Sequence, residues 1–264
     1  MTVADATARM PRMPEVGSNV YVYGVCRRRD ALPSDAEGIG GAAVDQVAHR
    51  NLAAIVSTTD QQRIRTTRRD LMRHSNVLGA VFREGQVLPF RFGTLYPDRG
   101  AVVERLLAPR YRELEQLLAE LERKVELGVK AFYDERAILS EVVAASPQIA
   151  RLREATRSQP AAATHALRLD LGRAVADAVE ERRARDADAI LRRLRPLADA
   201  IVVDDQQVEN LVLKASLLVD RERVAQVDQT MDDLALEQRG RMQLRYVGPL
   251  PPHSFVAIES TEQA

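Results

Sequence analysis

The sequence has no tryptophan, one cysteine and four histidines among 264 residues, and its aromatic content is 4%. Each shortage excludes something. A single cysteine, Cys26, rules out an intrachain disulfide and suits a reducing, cytoplasmic chain. It sits in the apolar run VYVYGVC, where it reads as a small buried hydrophobe. His49, His74, His165 and His253 have no second histidine or cysteine at metal-ligand spacing, so no zinc or haem site is expected. Basic and acidic side chains balance at 38 each. A net charge of zero gives no field to attract nucleic acid or an anionic membrane, and it leaves self-association electrostatically unopposed. There is no 18-residue apolar run, hence no expected membrane span. The opening MTVADATARMPRMPEVGS lacks a signal-peptide core, and residues 1–18 read as a flexible arm. No G-x-S-x-G is present, and GIGG (38–41) matches neither phosphate-binding glycine pattern. The expectation is a protein with no cofactor and no metal.

What is present is regular patterning. NVYVYGVC (19–26) is a continuous strand-forming run, suited to burial on both faces. Residues 43–57 read as two short strands about a turn at 49–51. A helix is predicted over 66–84, with Leu71, Val77, Leu78, Val81 and Phe82 on its apolar face and Gly85 ending it. VLPFRF is predicted as a strand. Asp98 caps the helical stretch that follows, where Leu114, Leu117, Leu118 and Leu121 recur at helical spacing and Pro109 divides the stretch. From residue 124 the pattern changes. KVELGVKAFYDE alternates, which marks a strand with one buried face. Helices follow, interrupted by SQPAAAT and ended by Pro196. Strands are expected at 198–203 and 211–219, a helix over 220–238, and a last strand in RMQLRYV. The second half thus reads β-α-α-β-β-α-β, the split βαβ plan of ferredoxin-like domains. The predicted class is α+β, with α and β mixed, in two domains that are each a small sheet with helices. The boundaries are an arm at 1–18, an α/β domain at 19–122, a ferredoxin-like α+β domain at 123–248 and an extended tail at 249–264.

The charged clusters read as solvated. Asp204 and Asp205 suit a hairpin turn, Asp232 and Asp233 a helix surface, and the arginines of ERRARDADAILRRLR are interspersed with acids. VLPFRFGTLYPD (87–98) stands apart, with Phe90, Phe92 and Tyr96 around Arg91. As a strand it places Leu88, Phe90 and Phe92 on one face, and Pro89, Arg91 and Gly93 on the other. Arg91 then has two readings, an ion-paired structural arginine or a partner contact. The tail GPLPPHSFVAI has three prolines in 248–252, so it runs extended. Phe255, Val256 and Ile258 need cover. The expectation is that this tail crosses to the first domain, against Phe90 and Phe92, with Arg91 bonding its carbonyls.

Taken in order, YVYGV, GIGG, NLAAIVS, RHSNVLGAVFREGQVLPFRFGTLY, VELGVKAFYDE and LRYVGPLPPHSFV resemble the gas vesicle GvpF/GvpL family over about residues 19–258. VLPFRFGT and RYVGPLPPHSFV are the specific pieces. The resemblance implies a two-domain accessory or minor structural protein of gas vesicles. Such a protein binds the small hydrophobic shell subunit (GvpA-like), and other gas vesicle accessory proteins, and supports assembly in the cytoplasm and on the vesicle. It implies no enzymatic activity and no cofactor, and it fits the absence of a nucleic-acid or membrane partner already read from the charge balance and the lack of an apolar run. Candidate partner or interdomain contacts are Phe90, Arg91, Phe92, Tyr96, Tyr246, Pro251, Pro252 and Phe255. Two departures stand out. QPAAATHALRLDLG replaces a G-x-Y-L pattern, and His253 takes a tyrosine's place in PPYSF. The competing readings are a ferredoxin-like small-molecule-binding or haem-handling protein, and a ligand-sensing pair of domains.

Overall fold

The computed structural model describes residues 19–33, 36–157, 165–206 and 208–256. The predicted arm at 1–18, the SQPAAAT interruption and Ile258 lie outside the described residues. The chain is mixed α+β, with two antiparallel sheets, and divides into two compact units between Glu122 and Arg123.

In the first unit β1 (Asn19–Arg27) is central. β3 (Leu52–Thr59) lies on one side of it, with β2 (Asp45–His49) beyond, and β4 (Val87–Pro89) and β5 (Leu95–Tyr96) pair with β1 on the other. Residues 20–26 are all buried, as the unbroken apolar run requires. Two helices supply the cover. α1 (Arg68–Arg83) and α3 (Tyr111–Glu120) each pack on β1 and β4. Thr67 caps α1 by accepting from the Asp70 N–H, and its hydroxyl donates back to the Asp70 carboxylate. The buried face of α1 starts at His74 and includes Val77, Leu78, Val81 and Phe82. Leu71, expected on that face, is 40% exposed because it lies one turn ahead of the covered stretch. Asp98 caps α2 (Arg99–Val102) as predicted, through the Ala101 N–H. A π-helical turn, Val103–Leu107, then leads to Pro109, which separates α2 from α3.

VLPFRF is not one strand. β4 ends at Pro89, and Phe90 adds one further bond, from its N–H to the Tyr23 carbonyl at 2.8 Å. The chain then turns. The Thr94 hydroxyl donates to the Arg91 carbonyl, Gly93 takes φ +94°, and β5 returns alongside β1. Only a residue without a Cβ adopts that φ at little cost, so Gly93 sets the turn that ends the strand. Gly24 is required for another reason. A Cβ there would lie 2.5 Å from the Leu88 carbonyl oxygen, on the neighbouring β4.

In the second unit β6 (Lys124–Tyr133) is followed by α4 (Glu135–Ala145), α5 (Pro147–Arg157) and α6 (His165–Leu194). β7 (Ala200–Val203), β8 (Leu211–Asp220), α7 (Val224–Glu237) and β9 (Met242–Leu250) complete it. The sheet order is β7-β8-β6-β9, with every neighbouring pair antiparallel. Val125, Leu127, Val129 and Ala131 of β6 are fully buried on one face, beside Leu213, Ala215, Leu217 and Val219 of β8. α6 packs on β8, and α7 on β9.

The tail departs from expectation. β9 continues through Pro249 to Leu250, paired with β6 as far as Glu126↔Leu250. β9 is an edge strand, which is where a proline can sit in a sheet. The described residues after it are seated on the second unit, where a crossing to the first was expected. The Ser254 N–H and hydroxyl donate to the two carboxylate oxygens of Glu126, each at 2.7 Å, and Ser254 Oγ lies 2.9 Å from Ser216 Oγ. Glu126 is 6% exposed, and these bonds satisfy a buried acid that β6 would otherwise leave bare.

Candidate functional site

The predicted contact residues fall into two groups. In the first unit Phe90 is 2% exposed and Tyr96 is buried, paired with Val20 across β5 and β1. Both belong to the core. Arg91 is exposed on the turn, and Phe92 is half-buried. Phe92 joins a cluster that the sequence did not reveal. Tyr21 and Tyr23 project from one face of β1 with ring centroids 4.8 Å apart. His74 of α1 stacks on Tyr23 at 5.6 Å, and Phe92 meets Tyr21 and His74 edge-on. The hydroxyls are used. Tyr21 Oη bonds His74 Nδ1 at 2.8 Å and accepts from the Gly93 N–H at 3.1 Å. Tyr23 Oη bonds Ser57 Oγ at 2.8 Å and accepts from the Ile39 N–H at 2.7 Å. Burial pushes both phenols above their ordinary range. They therefore stay neutral and tie β1, α1, the β4–β5 turn and the loop at Ile39 together. The aromatic–arginine stretch at 87–98 thus divides. The aromatics are core, and Arg91 is on the surface.

In the second unit Tyr246 lies half-buried on β9, opposite Val129 on the helix-covered face. Burial, and then the Asp228 carboxylate, raise its phenol. Pro251 and Pro252 are buried and Phe255 half-buried, in the segment held by Glu126. Glu126 alternates with Val125 and Leu127, so that segment and Tyr246 occupy opposite faces of the sheet. They do not form one site. A second group missed by the sequence reading is ionic. Tyr133 donates to Asp186 at 2.6 Å, Arg241 bonds Asp186 and Glu141, and Arg182 reaches both acids. Burial alone would lower Arg241, but its bonds to Glu141 and Asp186 outweigh that and raise it. The network joins β6, α4, α6 and the start of β9. Every charge in it has a partner, which makes it a brace rather than a reactive centre.

An open groove lies beside it. Two hollows of about 310 and 390 Å³ share Glu180, Arg183 and Leu211. One is walled by Ala187 and Leu191 of α6 with Val203, the other by Ala176 and Val179 with Val208. Among the described residues no group of three or more His, Cys, Asp or Glu side chains could hold a metal, and no helix is long and apolar enough to cross a membrane.

The comparisons with known proteins agree with one another. The family model described as gas vesicle synthesis protein GvpL/GvpF matches residues 19–257. Gas vesicle protein F of Streptomyces sp. (strain CB03234) is 38% identical over 241 residues, which span 90% of this chain and 99% of that protein. Gas vesicle protein F of Haloferax mediterranei is 27% identical over 92% of this chain and 95% of its own length. The crystal structure of GvpF from Anabaena sp. PCC7120 superposes with a TM-score of 0.75 at 24% identity, over 92% of this chain and 97% of that one. GvpF from Microcystis aeruginosa gives 0.74 at 21% identity, over 91% and 99%. At these identities the two structures speak for the fold.

Proposed function

The chain belongs to the gas vesicle GvpL/GvpF family, and from that premise we propose that it is an accessory or minor structural protein that binds the small hydrophobic shell subunit (GvpA-like) and supports vesicle assembly. The observation that carries the proposal is the match over residues 19–257, nearly the whole chain. The role is non-enzymatic, in the cytoplasm and on the vesicle, alongside other gas vesicle accessory proteins. The physical problem it solves is the handling of an apolar subunit. Such a subunit aggregates unless a partner covers its strands until it joins a growing edge. The second unit suits that task as a ferredoxin-like domain. Its four strands, counted from β6, lie in the order 2-3-1-4, and helices connect the first to the second and the third to the fourth.

The test is co-purification of the full chain with the small shell subunit, each tagged in turn. Capture of the shell subunit above an unrelated hydrophobic control is expected. Failure of capture in both orientations overturns the proposal.

A further inference from the structure

β7 (Ala200–Val203) is an edge strand, paired with β8 alone among the described residues. The Asp204 N–H bonds the Lys214 carbonyl at 2.9 Å, pointing into the sheet. Antiparallel alternation then turns the Val202 N–H inward as well, and turns the N–H and C=O of Ile201 and Val203 outward. Sheet edges are ordinarily guarded by shortness, a lysine or proline, a bulge or a covering segment, and of these β7 has shortness, at four residues. AIVV has neither lysine nor proline, and Val202 and Val203 are each 44% exposed. At Val203 the edge opens onto the groove, whose near end carries Glu180, Arg183, Asp204, Asp205 and Lys214 and which turns more apolar along α6 past Leu211 to Ala176.

We propose that this edge and groove accept an extended apolar segment of a second protein, flanked by basic residues, as a fifth strand of the second sheet. Its length follows from the geometry. From Leu191 to Ala176 is 15 residues of α6, about 22 Å at helical rise, or about seven extended residues. With the ladder on β7 the segment is about ten residues long. Its backbone bonds Ile201 and Val203, and its alternate side chains enter the groove. The charge of the rim selects the flanks. Arg183 and Lys214 are paired with Glu180 and Asp204, whereas Asp205 and Glu209 form no ion pair among the described residues. The rim is left acidic. The same acids oppose a second copy of this chain. Antiparallel pairing of this edge with itself through the outward groups joins Ile201 of one copy to Val203 of the other, which sets Asp199 of each copy against Asp205 of the other, and like charges directly opposite destabilise a ladder.

This inference rests on the proposal that the chain holds an apolar subunit, and the experiment separates the two. The probe is a fluorescent ten-residue peptide of alternating valine and threonine with a lysine at each end, titrated against the full chain by anisotropy. Saturable binding is expected. A backbone N-methylated peptide, and the variant Val203→Pro, should each bind at least tenfold more weakly, and a peptide with glutamate ends more weakly than the lysine form. Val203→Pro removes an outward N–H and leaves the β8 ladder intact. If that variant fails to fold by circular dichroism, the methylated peptide still decides. Equal binding of the two peptides, or no binding, overturns the proposal. So does a concentration-dependent dimer that Val203→Pro abolishes, since the edge would then be occupied by a second copy. If the chain captures the shell subunit and Val203→Pro captures it equally, the edge is wrong and the functional reading stands. If the chain captures no shell subunit yet binds the peptide through Val203, the functional reading fails and the edge stands.

Discussion

One hydroxyl and one thiol, both in β1, show how single residues set the first unit. Tyr21 Oη serves both the His74 ring and the Gly93 N–H, so Tyr21→Phe removes one group and two bonds. The phenyl ring itself is kept, and little packing changes. The expected loss is about 1–3 kcal/mol, because the buried His74 ring loses its bond to Tyr21 and the Gly93 N–H loses its acceptor. Urea unfolding of Tyr21→Phe against the parent checks it, and a loss under about 0.5 kcal/mol would show that solvent replaces the bonds. Cys26 responds differently. Burial pushes its thiol up to about 11, outweighing the pull of Arg29. At pH 8 the folded thiol is therefore fully protonated, and the reactive thiolate is scarce. Iodoacetamide at pH 8 should leave Cys26 intact in the native protein and alkylate it completely in urea, as read by intact mass. Of these residues the sequence disclosed Cys26 as a buried hydrophobe. It did not disclose the Tyr21–His74–Gly93 contacts, because each residue comes from a different element and no spacing rule links them.

At the scale of elements, hydrophobic period was a reliable guide wherever it ran long. β1, β6, β8 and the caps Thr67 and Asp98 arise from local pattern, and local pattern is what a sequence displays. VLPFRF misled for a physical reason. Its residues favour a strand, but Gly93 three residues beyond Phe90 offers a positive-φ turn, and the partner β1 is already paired with β5 there. The tail misled in another way. Its prolines and apolar side chains do require cover, but what anchors the segment is Ser254, which donates two bonds to the buried Glu126 of β6. Truncation after Leu250 tests that attachment. It removes the buried Pro251, Pro252 and Val256, and it leaves the Glu126 carboxylate without its donors. Each lost bond to a charged acceptor contributes about 1.5–3 kcal/mol, so a fall in melting temperature of several degrees is expected. Ser254→Ala should show part of the same loss, and Glu126→Ala with Ser254→Ala together should lose less than the sum. Additive losses would mean that the two residues do not stabilise each other in solution.

Over the whole molecule, sheet pairing determines how the chain breaks into parts. Strands β1 to β5 pair among themselves, and strands β6 to β9 do likewise. Each unit also has its own fully buried apolar residues: Tyr21, Ile55, Leu88 and Leu114 in the first, Leu127, Val129, Leu217 and Val227 in the second. A unit of that kind carries its stabilising burial inside itself. The orientation of edge β7 was not legible, since which backbone groups point outward depends on register with β8 and not on residue type. The prediction at this scale is independent folding of the second unit. A fragment of residues 123–264 contains all four strands of its sheet, the Glu126–Ser254 attachment and the Arg241 brace. It should unfold cooperatively in urea, with one transition seen alike by far-ultraviolet circular dichroism and by tyrosine fluorescence. Arg241→Ala in that fragment should lower the midpoint strongly, because Asp186 and Glu141 lose a shared partner in a partly buried setting. A fragment that shows non-coincident transitions, or that gains no stability from Arg241, would mean that the second sheet depends on residues before 123 for its fold.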